Sequence, residues 1–291
     1  MAAYTSDTLL TSIELKSFAP EAQTTFASSE ILAMASEIML NVIVPAIILK
    51  KTDYFVFTKD FTITASISNY TVPARAINGI LRAVFYLGDN GQICELDQLD
   101  LNDPTTTSES SPYAYYFEDD QIVLYPTPVS TQGTLRVKSF VGSGELVTAD
   151  AGAVITAINT STNVVTVGTI PSTWVTGNSF DLIAGTGNHA YRDLDLTSTL
   201  VSGTAITLPS LPVKLAVGDY INLAGECSLV QLPSSFRAAL AHLTAAEMLS
   251  SQNQPGVDTA QAKGKAYLQN ALDIINPRSK GKPKVIGPRW F

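Results

Sequence analysis

The sequence is poor in the side chains that most often build covalent cross-links and metal sites. Its 291 residues contain two cysteines, Cys94 and Cys227, and two histidines, His189 and His242. So few thiols and imidazoles exclude a disulfide-rich scaffold and argue against a structural zinc site. Two thiols in an intracellular chain are usually free and buried, and we expect this of both cysteines.

Charge and long apolar runs are also scarce. Charged residues make up 15% of the chain and hydrophobic residues 45%, a balance that excludes a disordered tail or a solvated coiled coil. The longest apolar run lies between Glu37 and Lys50. Its 12 residues are interrupted by Asn41 and Pro45, whereas about 20 are needed to cross a bilayer. The first basic residue is Lys16, too late for a signal-peptide n-region, so we expect a soluble, cytoplasmic chain with no membrane partner.

The charges that are present are unevenly distributed. Residues 263–291 carry seven Lys and Arg against one Asp, a net charge of +6, whereas the remaining 262 residues carry −14. An acidic body disfavours sequence-independent DNA binding, which needs clustered cations to displace phosphate counterions. The asymmetry indicates that the two regions have separate partners.

The basic C-terminus, residues 277–291, has no helical pattern because prolines and glycines interrupt it. It ends in two aromatic side chains, which are costly to leave in water. We interpret it as an extended arm that docks on another subunit, and a solvated basic tail is the alternative. The candidate docking residues are Arg278, Lys280, Lys282, Lys284, Arg289, Trp290 and Phe291.

Hydrophobic periodicity predicts helices at both ends of the chain. A first helix begins near Ser6, and a second begins near Ser28 and is kinked or ended by Pro45. A helical hairpin begins at Pro233, and its second helix is capped by Asp258. The apolar positions predicted for the second helix of the chain are Ile31, Met34, Ile38, Val42 and Ile43.

Short β-branched and aromatic runs between these helices predict strands. Residues 134–140 alternate apolar and polar side chains with a period of two, which is typical of a half-buried strand. Hairpin turns are predicted at residues 89–91 and 118–120. The other strand-like runs are residues 54–57, 61–64, 80–87 and 122–125.

The middle of the chain contains two similar stretches, residues 166–182 and 207–223, at an offset of 41 residues. Each reads strand, proline turn, bulky apolar anchor, glycine turn and strand, with Trp174 and Leu215 as the anchors. Two such copies can pair into one small barrel or sandwich and cover each other's edges. Chance similarity between Thr- and Val-rich strands is the alternative.

These patterns predict an α+β fold in which the terminal helices form a helical bundle and the strands a central antiparallel sheet. That core comprises residues 1–141 and 230–276. Residues 142–229 form an inserted all-β domain, a barrel or sandwich built from the duplicated unit. Residues 277–291 form the extended basic arm.

No catalytic motif stands out. Residues 185–190, GTGNHA, fit a dinucleotide-binding glycine pattern, but residues 191–196 alternate like a strand, and without a following helix no dipole holds a pyrophosphate. His189, Asp193 and Asp195 could supply metal ligands to a hydrolase, although a surface loop is the simpler interpretation. There is no nucleophile elbow, Walker A loop or H-E-x-x-H motif. We expect no enzyme activity, no cofactor and no metal.

Several stretches resemble a known family. FEDDQIVLYPTP at 117–128, followed by GTLRV at 133–137, is similar to a signature in head-to-tail connector (adaptor, head completion) proteins of tailed bacteriophages. NYTVPARA at 69–76, with LRAV at 81–84, resembles the central sheet of the same proteins. The helix start LPSSF at 232–236 and the exit from that region at Pro277-Arg278 are also similar.

The resemblance implies a structural virion protein of the neck, assembled in the host cytoplasm. It implies a ring of about twelve copies beneath the portal protein, which extends the DNA channel and gives tail or nozzle proteins a platform. Packaged DNA would pass without specific binding, and an acidic channel suits this because negative walls repel phosphate. The basic arm would then dock on the portal.

A different class of function also fits the predicted β domain. It could be a carbohydrate- or protein-binding module of a phage fibre or baseplate, and such a module would expose aromatic side chains. The position of Trp174 at a repeat anchor predicts core packing instead. The aromatic residues available are Trp174, Phe180, Tyr191 and Tyr220.

Overall fold

A computed structural model describes residues 3–17, 26–100 and 111–275. The chain is mixed α+β, with several sheets and a few helices, as predicted. Its contacts divide it into two compact units, Tyr54–Gly142 and a second that combines Met1–Asp53 with Ser143–Phe291. This division differs from the predicted domains because it groups the helices with the strands after residue 143. A separate domain at 142–229 stays a prediction.

The helices of the second unit come from both ends of the chain. Helices α1 and α2 both pack against α4, and α4 packs against α5. A 3₁₀ turn, Ser234–Phe236, leads into α4. The helices are α1 Ser6–Ser17, α2 Ser28–Ile38, α3 Val44–Lys50, α4 Arg237–Ser251 and α5 Val257–Ile274.

Pro45 does not end the second predicted helix. A π-helical turn, Met39–Ile43, joins α2 to α3, and the Val44 N–H donates to the carbonyl of Met39 five residues earlier. Pro45 falls in the first turn of α3, where a missing N–H is tolerated. The wider π turn therefore carries the helix across the proline, so the helix does not end at Pro45 as one of the two predicted outcomes had it.

The buried face of this continuous helix also differs from the prediction. Ile31 and Ile43 are buried as expected, but Val42 is 45% exposed. The π turn shifts the helical phase, so the buried stripe continues through Met39 and Ile47. One described helix, Ser28–Lys50, is long and apolar enough to cross a membrane, with 44% of its most apolar window buried inside the fold. Core helices pass the same test, so this feature carries no membrane assignment.

The C-terminal helical hairpin forms where it was predicted, with one difference at its turn. The N-cap of α5 is Gly256, with φ +101°, and Asp258 lies inside the first turn. A glycine is suited to this left-handed position, whereas an aspartate there would be strained. The two helices approach closely at Gly264, where an added Cβ would lie 2.7 Å from a methyl carbon of Leu243.

The unit Tyr54–Gly142 contains two four-stranded sheets, ordered β1-β8-β3-β4 and β2-β7-β6-β5. Side chains from both sheets meet in one core that includes Val84, Ile122 and Val137. The strands are β1 Val56–Thr62, β2 Asn69–Thr71, β3 Ala76–Leu87, β4 Ile93–Glu95, β5 Asp97–Gln98, β6 Ala114–Glu118, β7 Gln121–Tyr125 and β8 Thr134–Val141.

Several strand predictions for this unit are confirmed. Strand β8 buries alternate residues from Thr134 to Ser139, as its period of two predicted. The turn after β3 closes through a hydrogen bond from Gly88 N–H to the Gln92 carbonyl. Asp119 and Asp120, both at positive φ, form the predicted turn between β6 and β7. The two runs at 54–57 and 61–64 are wrong as separate strands, because they join in β1.

Residues 143–229 form a seven-stranded sheet, ordered β13-β12-β16-β10-β11-β15-β14, and a two-stranded parallel pair, β17-β9. The strands are β9 Glu145–Leu146, β10 Ala153–Asn159, β11 Val164–Val167, β12 Ser179–Ile183, β13 Tyr191–Thr197, β14 Leu200–Ser202, β15 Ala205–Thr207, β16 Tyr220–Leu223 and β17 Glu226–Cys227.

The two similar stretches pair with each other in this sheet. In the pairing of β12 with β16, Phe180 lies opposite Leu223 and Leu182 lies opposite Ile221. Strand β11 likewise pairs antiparallel with β15. Buried residues 41 positions apart contribute to one core: Val165 and Ile206, Val167 and Leu208, and Phe180 and Ile221.

The glycine at the end of this core has no room for a side chain. A Cβ on Gly185 would lie 2.0 Å from the Gly218 carbonyl oxygen, which is a backbone atom and cannot rotate away. We therefore expect Gly185→Ala to lower the free energy of unfolding by about 2 kcal/mol or more. Urea denaturation followed by circular dichroism measures this loss.

Gly168→Ala is the matched control for that substitution. An added Cβ at Gly168 meets nothing within 4 Å, and its φ is not positive. The stability of this variant should stay within about 0.5 kcal/mol of the parent. Equal stability of the two variants would contradict the close approach of Gly185 to Gly218.

Candidate functional site

The predicted docking arm lies outside the described residues. All seven of its candidate residues, Arg278, Lys280, Lys282, Lys284, Arg289, Trp290 and Phe291, fall after Ile275, the last residue that the structure describes. The arm therefore stays a prediction from the sequence.

The metal ligands considered for a hydrolase do not come together. In the parts of the chain that the structure describes, no group of three or more His, Cys, Asp or Glu side chains could hold a metal ion. His189 Nδ1 lies 3.0 Å from the Ala184 carbonyl oxygen, and Asp193 Oδ1 accepts a hydrogen bond from the Leu194 N–H. Both side chains therefore hydrogen-bond to nearby backbone. Neither Cys94 nor Cys227 forms a disulfide; Cys227 is buried as expected, whereas Cys94 is only half-buried.

The aromatic side chains of residues 142–229 do not form an exposed platform. Trp174 and Phe180 are buried and pack edge to face, with ring centroids 4.9 Å apart. Tyr191 and Tyr220 are half-buried and pack against a small core formed by Ile183, Cys227 and Leu229. Sugar-binding surfaces rely on accessible aromatic faces, so this arrangement disfavours the carbohydrate-binding alternative.

The helices leave several large apolar side chains in solvent. Leu49 at the end of α3 is 86% exposed, and Ile274 at the end of α5 is 69% exposed. A shallow groove of about 360 Å³ lies between the π turn, α4 and α5, with Val42, Leu243 and Val257 in its lining. Glu247 and Lys265 also line it. Apolar surface of this kind marks candidate sites for contact with another protein.

A second cavity, of about 240 Å³, lies between the loop that follows β12 and the start of α4. The loop contributes residues 185–189, and the helix start contributes Ser234 and Arg237. The loop is anchored at both ends: Gly185 N–H donates to Asp219 Oδ1, and Gln231 Nε2 donates to the His189 carbonyl. The cavity walls are therefore fixed by buried hydrogen bonds.

His189 is the buried centre of this loop. Its φ of +54° is unusual for a residue with a side chain, and the residue is only 2% exposed. Nδ1 lies within hydrogen-bonding distance of the Ala184 carbonyl, so Nδ1–H donates and Nε2 is the acceptor. Nε2 faces the Tyr4 N–H and Arg237 Nη2, each at 3.4 Å. Burial lowers the pKa of His189; the hydrogen bond to Ala184 opposes this shift in part, and the charge of Arg237 adds to it.

Arg237 is a partly buried cation in the first turn of α4. Its guanidinium carbon lies 4.4 Å from the centre of the Tyr4 ring, a cation–π contact. Within the described ranges, no Asp or Glu lies within ion-pairing distance of it. The first turn of α4 contains no acidic residue and has no side-chain cap. Burial lowers the pKa of Arg237, since solvent is partly excluded from its charge.

The sequence indicates one wall of this cavity and gives little sign of the other. The GTGNHA pattern drew attention to residues 185–190, and strand β13 follows that loop where a helix would be needed to hold a dinucleotide. Arg237 was not predicted as a functional residue. The available signal was a basic residue at the positive end of a helix, where acidic residues are favoured.

Comparison of the whole chain with protein-family models matched no family, and a search among curated proteins found no significant match.

The surroundings of His189 predict its titration. The pKa of the folded-state imidazole should lie below its ordinary value of 6.5, because burial disfavours the charged form. The unfolded chain then binds more protons near that pH, so the stability contributed by neutral His189 is present above about 6.5 and lost as the pH falls through the folded-state pKa.

A side-chain NMR titration of the two histidines measures this pKa. In urea, His189 should return to its ordinary value, and in folded Arg237→Gln its pKa should rise because a neighbouring positive charge is removed. A folded-state pKa at or above the urea value would contradict the buried, neutral imidazole.

Proposed function

We propose that this chain is a structural virion protein, a head-to-tail adaptor that forms a ring beneath the portal of a tailed bacteriophage. The ring extends the DNA channel and gives tail or nozzle proteins a surface on which to attach. The proposal rests first on the resemblance of residues 69–84 and 117–137 to connector proteins. The mixed α+β fold is compatible with it, with helices from both chain ends and the sheets of Tyr54–Gly142.

The observation that carries the assembly part of the proposal is the exposed apolar surface of the helices. Leu15, Leu49 and Ile274 are each more than two-thirds exposed on helices α1, α3 and α5. A lone subunit leaves these side chains in water, and burying them against another copy is favourable by about 25 cal/mol per Å². Ring closure needs heterologous contacts, in which each copy presents different faces to its two neighbours.

The uneven charge distribution supports separate roles for the acidic part of the chain and for the basic C-terminal arm. The acidic remainder of the chain, at −14, suits the wall of a channel through which DNA slides without sticking. The +6 C-terminal region offers a separate, cationic contact for the portal. In this proposal the arm orders on docking, and Trp290 and Phe291 act as aromatic anchors.

We further propose that the terminal helices form a bundle and that residues 142–229 contain an internal duplication. The reciprocal pairing of β12 with β16 and β11 with β15 supports a two-fold relation between the copies. The turn hydrogen bonds repeat too: Trp174 N–H to the Pro171 carbonyl, and Leu215 N–H to the Pro212 carbonyl, both at 3.0 Å. Each copy covers an edge that the other exposes.

Deleting residues 277–291 tests the arm. We expect the truncated protein to keep its melting temperature and to lose binding to the portal, because the cationic and aromatic contacts are removed while the described fold stays intact. Portal pull-down, and negative-stain images of the purified protein with and without portal, measure the two properties. Normal assembly of the truncated protein on the portal would contradict the docking role.

A charge reversal inside the arm tests whether its positive charge is needed for portal binding while its length is kept. The triple variant Lys280→Glu, Lys282→Glu, Lys284→Glu should weaken portal binding. The matched control reverses three exposed or half-buried lysines that lie outside residues 263–291: Lys50, Lys59 and Lys214. Equal loss of binding in both triple variants would show that net charge matters and the arm does not.

A further inference from the structure

The cavity beside His189 combines features that the proposed adaptor function does not use. Arg237 places a positive charge at one wall, and the 185–189 loop forms the other. The loop is held rigidly, and Gly187 at φ +73° gives it a conformation that few other residues adopt without strain. A fixed cavity lined by one uncompensated charge is the arrangement expected of an ion-binding site.

The charge balance around Arg237 identifies the sign of the ligand. The carboxylate that anchors the loop is Asp219, and it is already engaged by Arg192 Nε at 3.0 Å and by backbone N–H groups. Arg237 contacts the neutral Nε2 of His189 and the Tyr4 ring, and its buried Nε–H has no hydrogen-bond partner among the residues described. A partly buried cation of this kind is stabilised by an anion.

The residues that line the cavity indicate which class of anion would bind there. Thr186, Asn188 and Ser234 line the cavity together with Arg237, so residues that carry hydrogen-bond donors come from two separate segments of the chain. A tetrahedral oxyanion presents oxygens in several directions and can use donors on both walls, whereas a planar carboxylate presents two oxygens in one plane. The volume of about 240 Å³ exceeds the roughly 30 Å³ share of one water molecule several-fold.

We propose that this cavity, between the 185–189 loop and the start of α4, binds a phosphate-type oxyanion with Arg237 as its charge partner. Thr186 and Ser234 are exposed, so the cavity is open to an incoming ion. The bound anion joins the first turn of α4 to the loop that follows β12, and so stiffens the region where helix and sheet meet within one unit.

Titration of the full-length chain with inorganic phosphate at constant ionic strength tests the site. We expect saturable binding of one phosphate per chain, measured by calorimetry, and a shift of the His189 side-chain NMR signals. His242 is the internal control, because it lies elsewhere on α4 and stacks on Tyr267. Absence of saturable binding, or equal shifts of both histidines, would overturn the proposal.

Two substitutions assign the binding to the cavity. Arg237→Gln should weaken phosphate binding by about tenfold or more, since hydrogen bonds to charged groups are the strong ones. Arg136→Gln removes the same charge from an arginine already paired with Asp60 at 2.7 Å, and should leave binding unchanged. Equal phosphate affinity in Arg237→Gln and the parent would sink the assignment.

A gentler variant keeps the test decisive if Arg237→Gln fails to fold. Ser234 is exposed and Ser234→Ala removes one hydroxyl from the cavity, so this variant should fold and bind phosphate several-fold more weakly. Unchanged affinity in Ser234→Ala would then count against the site.

Competition with other anions tests the ligand preference of the cavity. Acetate bound as tightly as phosphate would overturn the preference for a tetrahedral oxyanion. Thymidine 5′-monophosphate that displaces inorganic phosphate would identify a nucleotide phosphate as an acceptable source, and failure to displace it would restrict the site to the free ion.

Discussion

The pairing of β12 with β16 is the contact on which the larger unit of this protein depends. It places Phe180, Leu182 and Ile221 in one fully buried core, and the edge-to-face contact of Trp174 with Phe180 extends that core. Burial of each such side chain is worth about 1.5–3 kcal/mol, so these residues dominate the stability of the sheet. The same pairing sets Gly185 against Gly218 and so determines where the following loop emerges.

Buried polar groups then connect this sheet to the helices. The Asp219 carboxylate accepts a hydrogen bond from the Gly185 N–H. The Gln231 side chain accepts a hydrogen bond from the Gly144 N–H and donates one to the His189 carbonyl. His189 in turn faces the Tyr4 backbone and Arg237 at the start of α4. Because unpaired buried donors and acceptors are costly, this network specifies one arrangement of loop, N-terminal segment and helix.

The proposed adaptor function works by geometric fit and needs no bond-making chemistry. His189 and Asp193 hydrogen-bond to local backbone, and the aromatic residues of 142–229 are buried or half-buried. The features of one chain that could contact other proteins are its exposed apolar helix surface and its uneven charge distribution. Function by geometric fit places its demands on interfaces, which are formed by residues far apart in the chain.

The sequence by itself determined the features that depend on local pattern. The period of two in residues 134–140 predicted β8, the turn residues predicted the hairpins, and the 41-residue offset predicted which stretches would share a core. Each is readable locally because side-chain direction follows backbone geometry within a few residues. Tertiary structure alone decided that the helix continues past Pro45, where a π turn and the burial of Ile43 and Ile47 override a local helix breaker. It also decided that Arg237 meets His189, 48 residues away, because such a contact depends on how the sheet and helices pack and leaves no trace in the spacing of neighbouring residues.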